Sequence, residues 1–136
     1  MNIVAKTAAV AALALAAGCV DTAGTRVDID TETGDASVTE CSPRLARRVR
    51  VYDVIYGASG DIKTATVKIE SKTRRRISLQ ARMVWMDAEG VEIDPDAKPF
   101  RTIVLDGLDV KSISGVAPNA RAVKARLQIR ETRTVK

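Results

Sequence analysis

The run ISLQARMVWM, residues 77–86, alternates with a period of two. Ile77, Leu79, Ala81, Met83 and Trp85 share one face of an extended chain, with Ser78, Gln80 and Arg82 opposite, which is the pattern of a half-buried strand. Val84 and Met86 fall on the second face, so the far end of this strand is expected to be covered on both sides. The run stops at DAEG (87–90), whose composition is that of a turn. Near the C-terminus a second run repeats the pattern. Val123, Ala125, Leu127 and Ile129 face one way, and Lys124, Arg126, Gln128 and Arg130 the other. Unbroken alternation over these eight residues favours strand over helix.

Shorter candidates lie before and between these runs. Ala65, Val67 and Ile69 alternate with Thr64, Thr66, Lys68 and Glu70, while 49–55, 103–105 and 110–113 are short and β-branched. Their separators carry turn chemistry: 57–60, a basic hairpin at 72–76, Asp94-Pro95, Asp106-Gly107 and Ala117-Pro118-Asn119. Six or seven strands at roughly ten-residue spacing, with no long amphipathic helix, predict an all-β, antiparallel, immunoglobulin-like sandwich. Trp85 belongs in its core.

The chain has 136 residues, a formal charge of +5, no histidine and two cysteines, Cys19 and Cys41. Without histidine there is no Ser-His-Asp or Cys-His hydrolase, no imidazole acid–base catalyst and no His-ligated metal. Two cysteines exclude a disulfide-rich scaffold. The expectation is a protein that binds rather than catalyses, with no cofactor.

Residues 1–18 place one cation, Lys6, before an uncharged run rich in Ala, Leu and Val. The run is short of the about 20 apolar residues that span a bilayer, and it has the shape of a secretory signal. Ala16, Ala17 and Gly18 lead directly into Cys19 and resemble a bacterial lipobox. That resemblance implies a cysteine that is lipidated and becomes the first residue of the mature chain. Val20, rather than an acid, follows Cys19, which points to the inner leaflet of the outer membrane, facing the periplasm.

From residue 20 the chain is rich in Asp, Thr, Glu, Gly and Ser with few large apolar groups, and it reads as a solvated tether. The expected organisation is therefore a signal peptide at 1–18, a lipidated cysteine and flexible tether at 19–45, and a sandwich at 46–136. With Cys19 carrying lipid, Cys41 is an edge residue, a reactive thiol or the site of an intermolecular disulfide that links two copies.

Three features bear on binding. Glu92, Asp94 and Asp96 set carboxylates at alternate positions, but lack the glycine turn and distal Glu of a calcium loop, so a solvated loop is the plainer reading and a metal or small-ligand site the alternative. Asp87 and Glu89 sit in a short turn, where nothing would separate their acidities for acid–base work. Arg74, Arg75 and Arg76 form a basic cluster. Its plainer reading is a turn kept soluble and an edge kept from aggregating by cations. Its functional reading is contact with lipid headgroups, other anionic envelope components or an acidic envelope protein. Nucleic acid would call for stacking aromatics among such charges, and aromatics are 3% of the chain.

The order of these features resembles the YcfL family of small bacterial lipoproteins. It is carried by the hairpin near 70–76, Arg82-Met83-Val84-Trp85-Met86-Asp87-Ala88-Glu89-Gly90, Phe100 ahead of a strand to Leu105, Ala117-Pro118-Asn119, and a last strand from near Ala122. It covers about residues 61–130 and the lipoprotein start. The chain departs from that family at Met83 and Met86, where relatives carry aromatics, and at Phe100, where they often have Trp. The resemblance implies a β-sandwich of unknown function, no catalytic residues and a place in envelope assembly.

Overall fold

In the computed structural model of the chain, which describes residues 24–94 and 99–132, the run at 77–86 is a single ten-residue strand. The signal segment, Cys19 and Asp96 lie outside the described residues. In chain order the elements are β1 (Thr25–Asp30), β2 (Ala36–Glu40), α1 (Pro43–Arg48), β3 (Val49–Ser59), β4 (Ile62–Ser71), β5 (Ile77–Met86), β6 (Glu92–Ile93), β7 (Arg101–Leu105), β8 (Val110–Val116) and β9 (Lys124–Glu131). All strand pairs are antiparallel.

The larger sheet runs β2-β1-β9-β5, with β6 and β7 in succession along the other edge of β5; the smaller is β3-β4-β8. Apolar side chains of the two inner faces meet between them. Val27 and Ile29 of β1, Leu79, Ala81, Met83 and Trp85 of β5, and Ala125, Leu127 and Ile129 of β9 face Ala65, Val67 and Ile69 of β4. Trp85 is 2% exposed, and each aliphatic side chain buried this fully contributes about 1.5–3 kcal/mol. Val84 and Met86 are buried as well, so the end of β5 is covered on both faces.

The antiparallel sandwich forms as the alternation predicts, but three expectations need correction. Nine strands are present among the described residues rather than six or seven. Residues 25–40 are not a tether: β1 and β2 form a hairpin that joins the larger sheet through β9. The acids that made this segment look solvated are matched, some locally and one from β9. Asp28 accepts from Arg26 at 2.9 Å and from Arg126 of β9 at 2.7 Å, and Asp30 accepts from the amides of Glu32 and Thr33 to build the β1–β2 turn. Finally, residues 72–76 are not a hairpin but a passage between sheets. Both edges of β4 are already taken by β3 and β8, so β5 has no place beside it.

The smaller sheet's two edges are each blunted. Edge strand β3 carries a bulge between Val51 and Asp53. On edge strand β8, Lys111 stands opposite Ile69 and reaches across the gap to donate to the Val104 carbonyl of β7 at 3.0 Å.

Candidate binding surface at one end of the sandwich

One end of the sandwich is closed by α1. Ser42 caps the helix, its Oγ accepting from the Leu45 amide at 3.2 Å, and Pro43 follows in the first turn, where its missing N–H costs nothing. Leu45, 1% exposed, plugs the core from this end, and the short helix sets Arg44, Arg47 and Arg48 outside it. Arg48 bonds Glu131 at 3.0 Å and Arg44 approaches the same carboxylate at 3.5 Å, so the helix is tied to the end of β9.

The passage 72–76 lies against that helix. The Lys72 amide donates to the Arg48 carbonyl at 2.7 Å, and its ammonium to the Ala46 carbonyl at 2.8 Å. Fully buried Ser71 and half-buried Thr73 then hold the backbone through hydroxyl bonds to Thr73 and Arg75. The result is an open concavity of about 480 Å³ lined by Arg44, Arg48, Thr73, Arg74 and Arg75.

The sequence trio therefore divides. Arg74 and Arg75 are exposed in this concavity and face no carboxylate within ion-pair distance among the described residues. Arg76 turns aside to Asp106 at 2.8 Å. In its place the fold brings Arg44 and Arg48, about thirty residues earlier in the chain. Sequence reading missed them because they lay in the supposed tether or just past its edge. The S-P-x-L start of a capped helix was the signal that could have found them.

A second loop completes this end. The turn between β7 and β8 packs on the basic passage: the Leu108 amide donates to the Thr73 carbonyl and the Ser71 amide to the Asp109 carbonyl, both at 2.8 Å. Gly107 lies so close to the Arg74 carbonyl that a side chain there would strike it. Leu108, by contrast, is 60% exposed and holds φ +59, a left-handed conformation uncommon for a bulky residue. Gly24 also belongs to this end; its carbonyl accepts from the amide of half-buried Cys41 at 2.9 Å.

The opposite end has the opposite sign. Asp30, Glu32 and Asp35 surround the β1–β2 turn, Asp61 the β3–β4 turn, and Asp87 and Glu89 the β5–β6 turn, against Lys63, Arg121 and Lys124. The Asp87 carboxylate accepts from the amides of Glu89 and Val91, each at 3.0 Å. That is a turn-building role.

Two other features lie on the flanks. On the outer face of the larger sheet, Phe100 stacks under the guanidinium groups of Arg130 (3.7 Å) and Arg82 (4.6 Å), which in turn donate to Gln80 and Gln128. Between β7 and β8 the sheets leave a cleft of about 590 Å³ floored by Met83, Trp85 and Ile113, where Gly115 lets the Met83 sulfur lie against the β8 backbone. No group of three or more Cys, Asp or Glu that could hold a metal occurs among the described residues. Glu92 and Asp94 do not form one there, and Asp96 lies outside.

A family model described as a protein of unknown function, DUF1425, matches residues 35–131. Among solved structures, a DUF1425 family member from Shewanella sp. PV-4 is 26% identical, with a TM-score of 0.58, covering 64% of this chain and 81% of its own. The Campylobacter jejuni protein cj0090 shares the fold at 14% identity, with a TM-score of 0.53, over 60% of this chain and 85% of its own. No curated protein matches the chain.

Proposed function

The chain belongs to the DUF1425 family, and from that premise we propose that it is an exported lipoprotein, anchored through Cys19 in the inner leaflet of the outer membrane, whose sandwich is a binding module of envelope assembly. The observation that carries this reading is Ala16-Ala17-Gly18-Cys19 behind a short apolar run, placed six residues before the first strand. Three acyl chains on one cysteine would hold a protein on a bilayer essentially for good, since each buried methylene contributes about 0.8 kcal/mol. The basic concavity supports binding of an anionic envelope component: Arg74 and Arg75 stand with their charges uncompensated, ready for phosphate or carboxylate. A binding role also suits a chain with no histidine, whose Asp87 carboxylate is committed to its own turn.

Palmitate labelling and membrane fractionation of cells making the wild type and Cys19→Ala test the anchor. The expected result is that the substitution abolishes both the label and membrane retention. Label that persists in Cys19→Ala refutes the reading.

A further inference from the structure

We infer that the basic end of the sandwich docks directly on an anionic bilayer surface, with Arg44, Arg74 and Arg75 on lipid phosphates and Leu108 entering the headgroup layer. The inference rests on the lipid-anchored reading above and adds an orientation and a second contact to it.

Three observations converge on it. The first is chain length. β1 starts at Thr25, so only six peptide steps separate Cys19 from the sheet, and a chain extends at most about 3.3–3.6 Å per residue. The domain cannot stand farther than roughly 20 Å from its anchor point. Thr25 stands level with Ile129 and so with Ala81, midway along β5, and β1 begins on the half of the sheet nearer the basic end, where Gly24 accepts from the Cys41 amide. That start lies beside Arg44 and Arg48 through Glu131, since Thr25 pairs with Ile129 two residues before that carboxylate.

The second is charge. The end nearest the anchor carries Arg44, Arg47, Arg48, Lys72, Arg74 and Arg75 against Glu40, Asp106, Asp109 and Glu131, and two of those acids already hold an arginine. The far end carries the acidic turns. An anionic surface attracts the first and repels the second, and the attraction operates within a Debye length of about 8 Å at physiological salt. The tether keeps the surfaces within reach of that distance, so even a contact too weak to hold a free protein is populated.

The third is Leu108. An exposed leucine in the left-handed region is an arrangement that folding alone disfavours. It is fixed there by the Thr73 and Ser71 backbone bonds, between the passage bearing Arg74 and Arg75 and the start of β8. An exposed apolar side chain on a loop packed against the passage that bears Arg74 and Arg75 matches the layered chemistry of a headgroup region, with phosphate outside and acyl chain beneath.

The test uses the full chain purified from membranes and reconstituted into vesicles with brominated acyl chains, of phosphatidylethanolamine with phosphatidylglycerol or of phosphatidylcholine alone. Leu108→Trp supplies an indole for quenching, while native Trp85 is buried. Quenching is expected on the anionic vesicles and not on the neutral ones. Each arginine removed should lower the docked-to-undocked ratio about fivefold, so Arg44→Gln/Arg74→Gln/Arg75→Gln together lower it about 100-fold. Hydrogen exchange on the unsubstituted chain should show slowed loops 72–76 and 106–109 on anionic vesicles alone. Intact mass of the same preparation reads acylation separately. Chain that carries lipid and floats with the vesicles, yet shows neither quenching nor slowed exchange, overturns docking and leaves the anchor standing. Chain without lipid that still docks on anionic vesicles refutes the anchor and keeps the surface. If polyglutamate slows both loops and anionic vesicles do not, the surface belongs to an acidic protein and the proposal falls.

Discussion

The two ends of this sandwich solve the same problem, how to turn the chain between strands, by different means. At the acidic end three turns, β1–β2, β3–β4 and β5–β6, are tight and local, and one connection, 117–123, crosses from β8 to β9. Gly34, Gly60 and Gly90 take the left-handed positions there, at φ +81, +63 and +85, where glycine meets no Cβ penalty. At the basic end the connections cross between sheets and lock onto one another through a helix, a buried serine and two loops. The left-handed position there falls to Leu108. Beyond β6 the left-handed position falls to Asp94, at φ +52, a short polar residue that tolerates it; a bulky apolar residue holds one at the basic end alone among the described residues, on the loop packed against the passage that bears Arg74 and Arg75. The comparison separates an end shaped by turn economy from an end shaped to present a surface.

Substitutions can break this contrast or sharpen it. Leu45→Ala has the largest expected effect, a loss of about 3 kcal/mol, because the helix buries this one side chain in the core. Thermal denaturation should show a fall of roughly 15 °C for a domain of this size. A change of only a degree or two would mean that α1 decorates the end instead of closing it. Next come matched glycine changes. Gly107→Ala meets the Arg74 backbone and should cost about 2–3 kcal/mol. Gly60→Ala meets nothing within 4 Å and loses about 1 kcal/mol through its positive φ alone. Equal denaturation midpoints for the two variants would erase the difference between the ends. The smallest effect carries the opposite sign. Leu108→Gly should raise stability by about 0.5 kcal/mol, the relief of a left-handed leucine offset in part by the larger unfolded-state entropy of glycine. A destabilised variant would show that Leu108 packs for the fold rather than projecting from it.

Strand period was legible wherever apolar groups were dense. β5 and β9 could be read residue by residue, down to the covered second face at Val84 and Met86. β1 escaped because TRVDID holds only Val27 and Ile29 as large apolar groups, and its acids looked like solvation. Arg26 is a local partner of Asp28, but the second one, Arg126, is visible only once β9 lies alongside. The sheet assignment of β5 escaped for a topological reason, since whether β4 has a vacant edge depends on β8, forty residues further on. At the basic end, Arg74 and Arg75 were legible as a charge run. Their joining with Arg44 and Arg48, and the turning of Arg76 to Asp106, come from packing between distant segments.

The placement of β9 has a temporal consequence. It is the last strand in chain order among the described residues, yet it sits between β1 and β5 in the larger sheet, pairing with both. The earliest strand has no permanent partner other than β2 until residue 131 is available, and a two-stranded hairpin alone is at best marginally stable in water. The larger sheet therefore assembles only at the end of the chain, through contacts of high sequence separation that slow folding into the millisecond-to-second range. On the exported reading proposed above, a chain built this way stays open during passage through a translocation pore and closes once β9 has crossed.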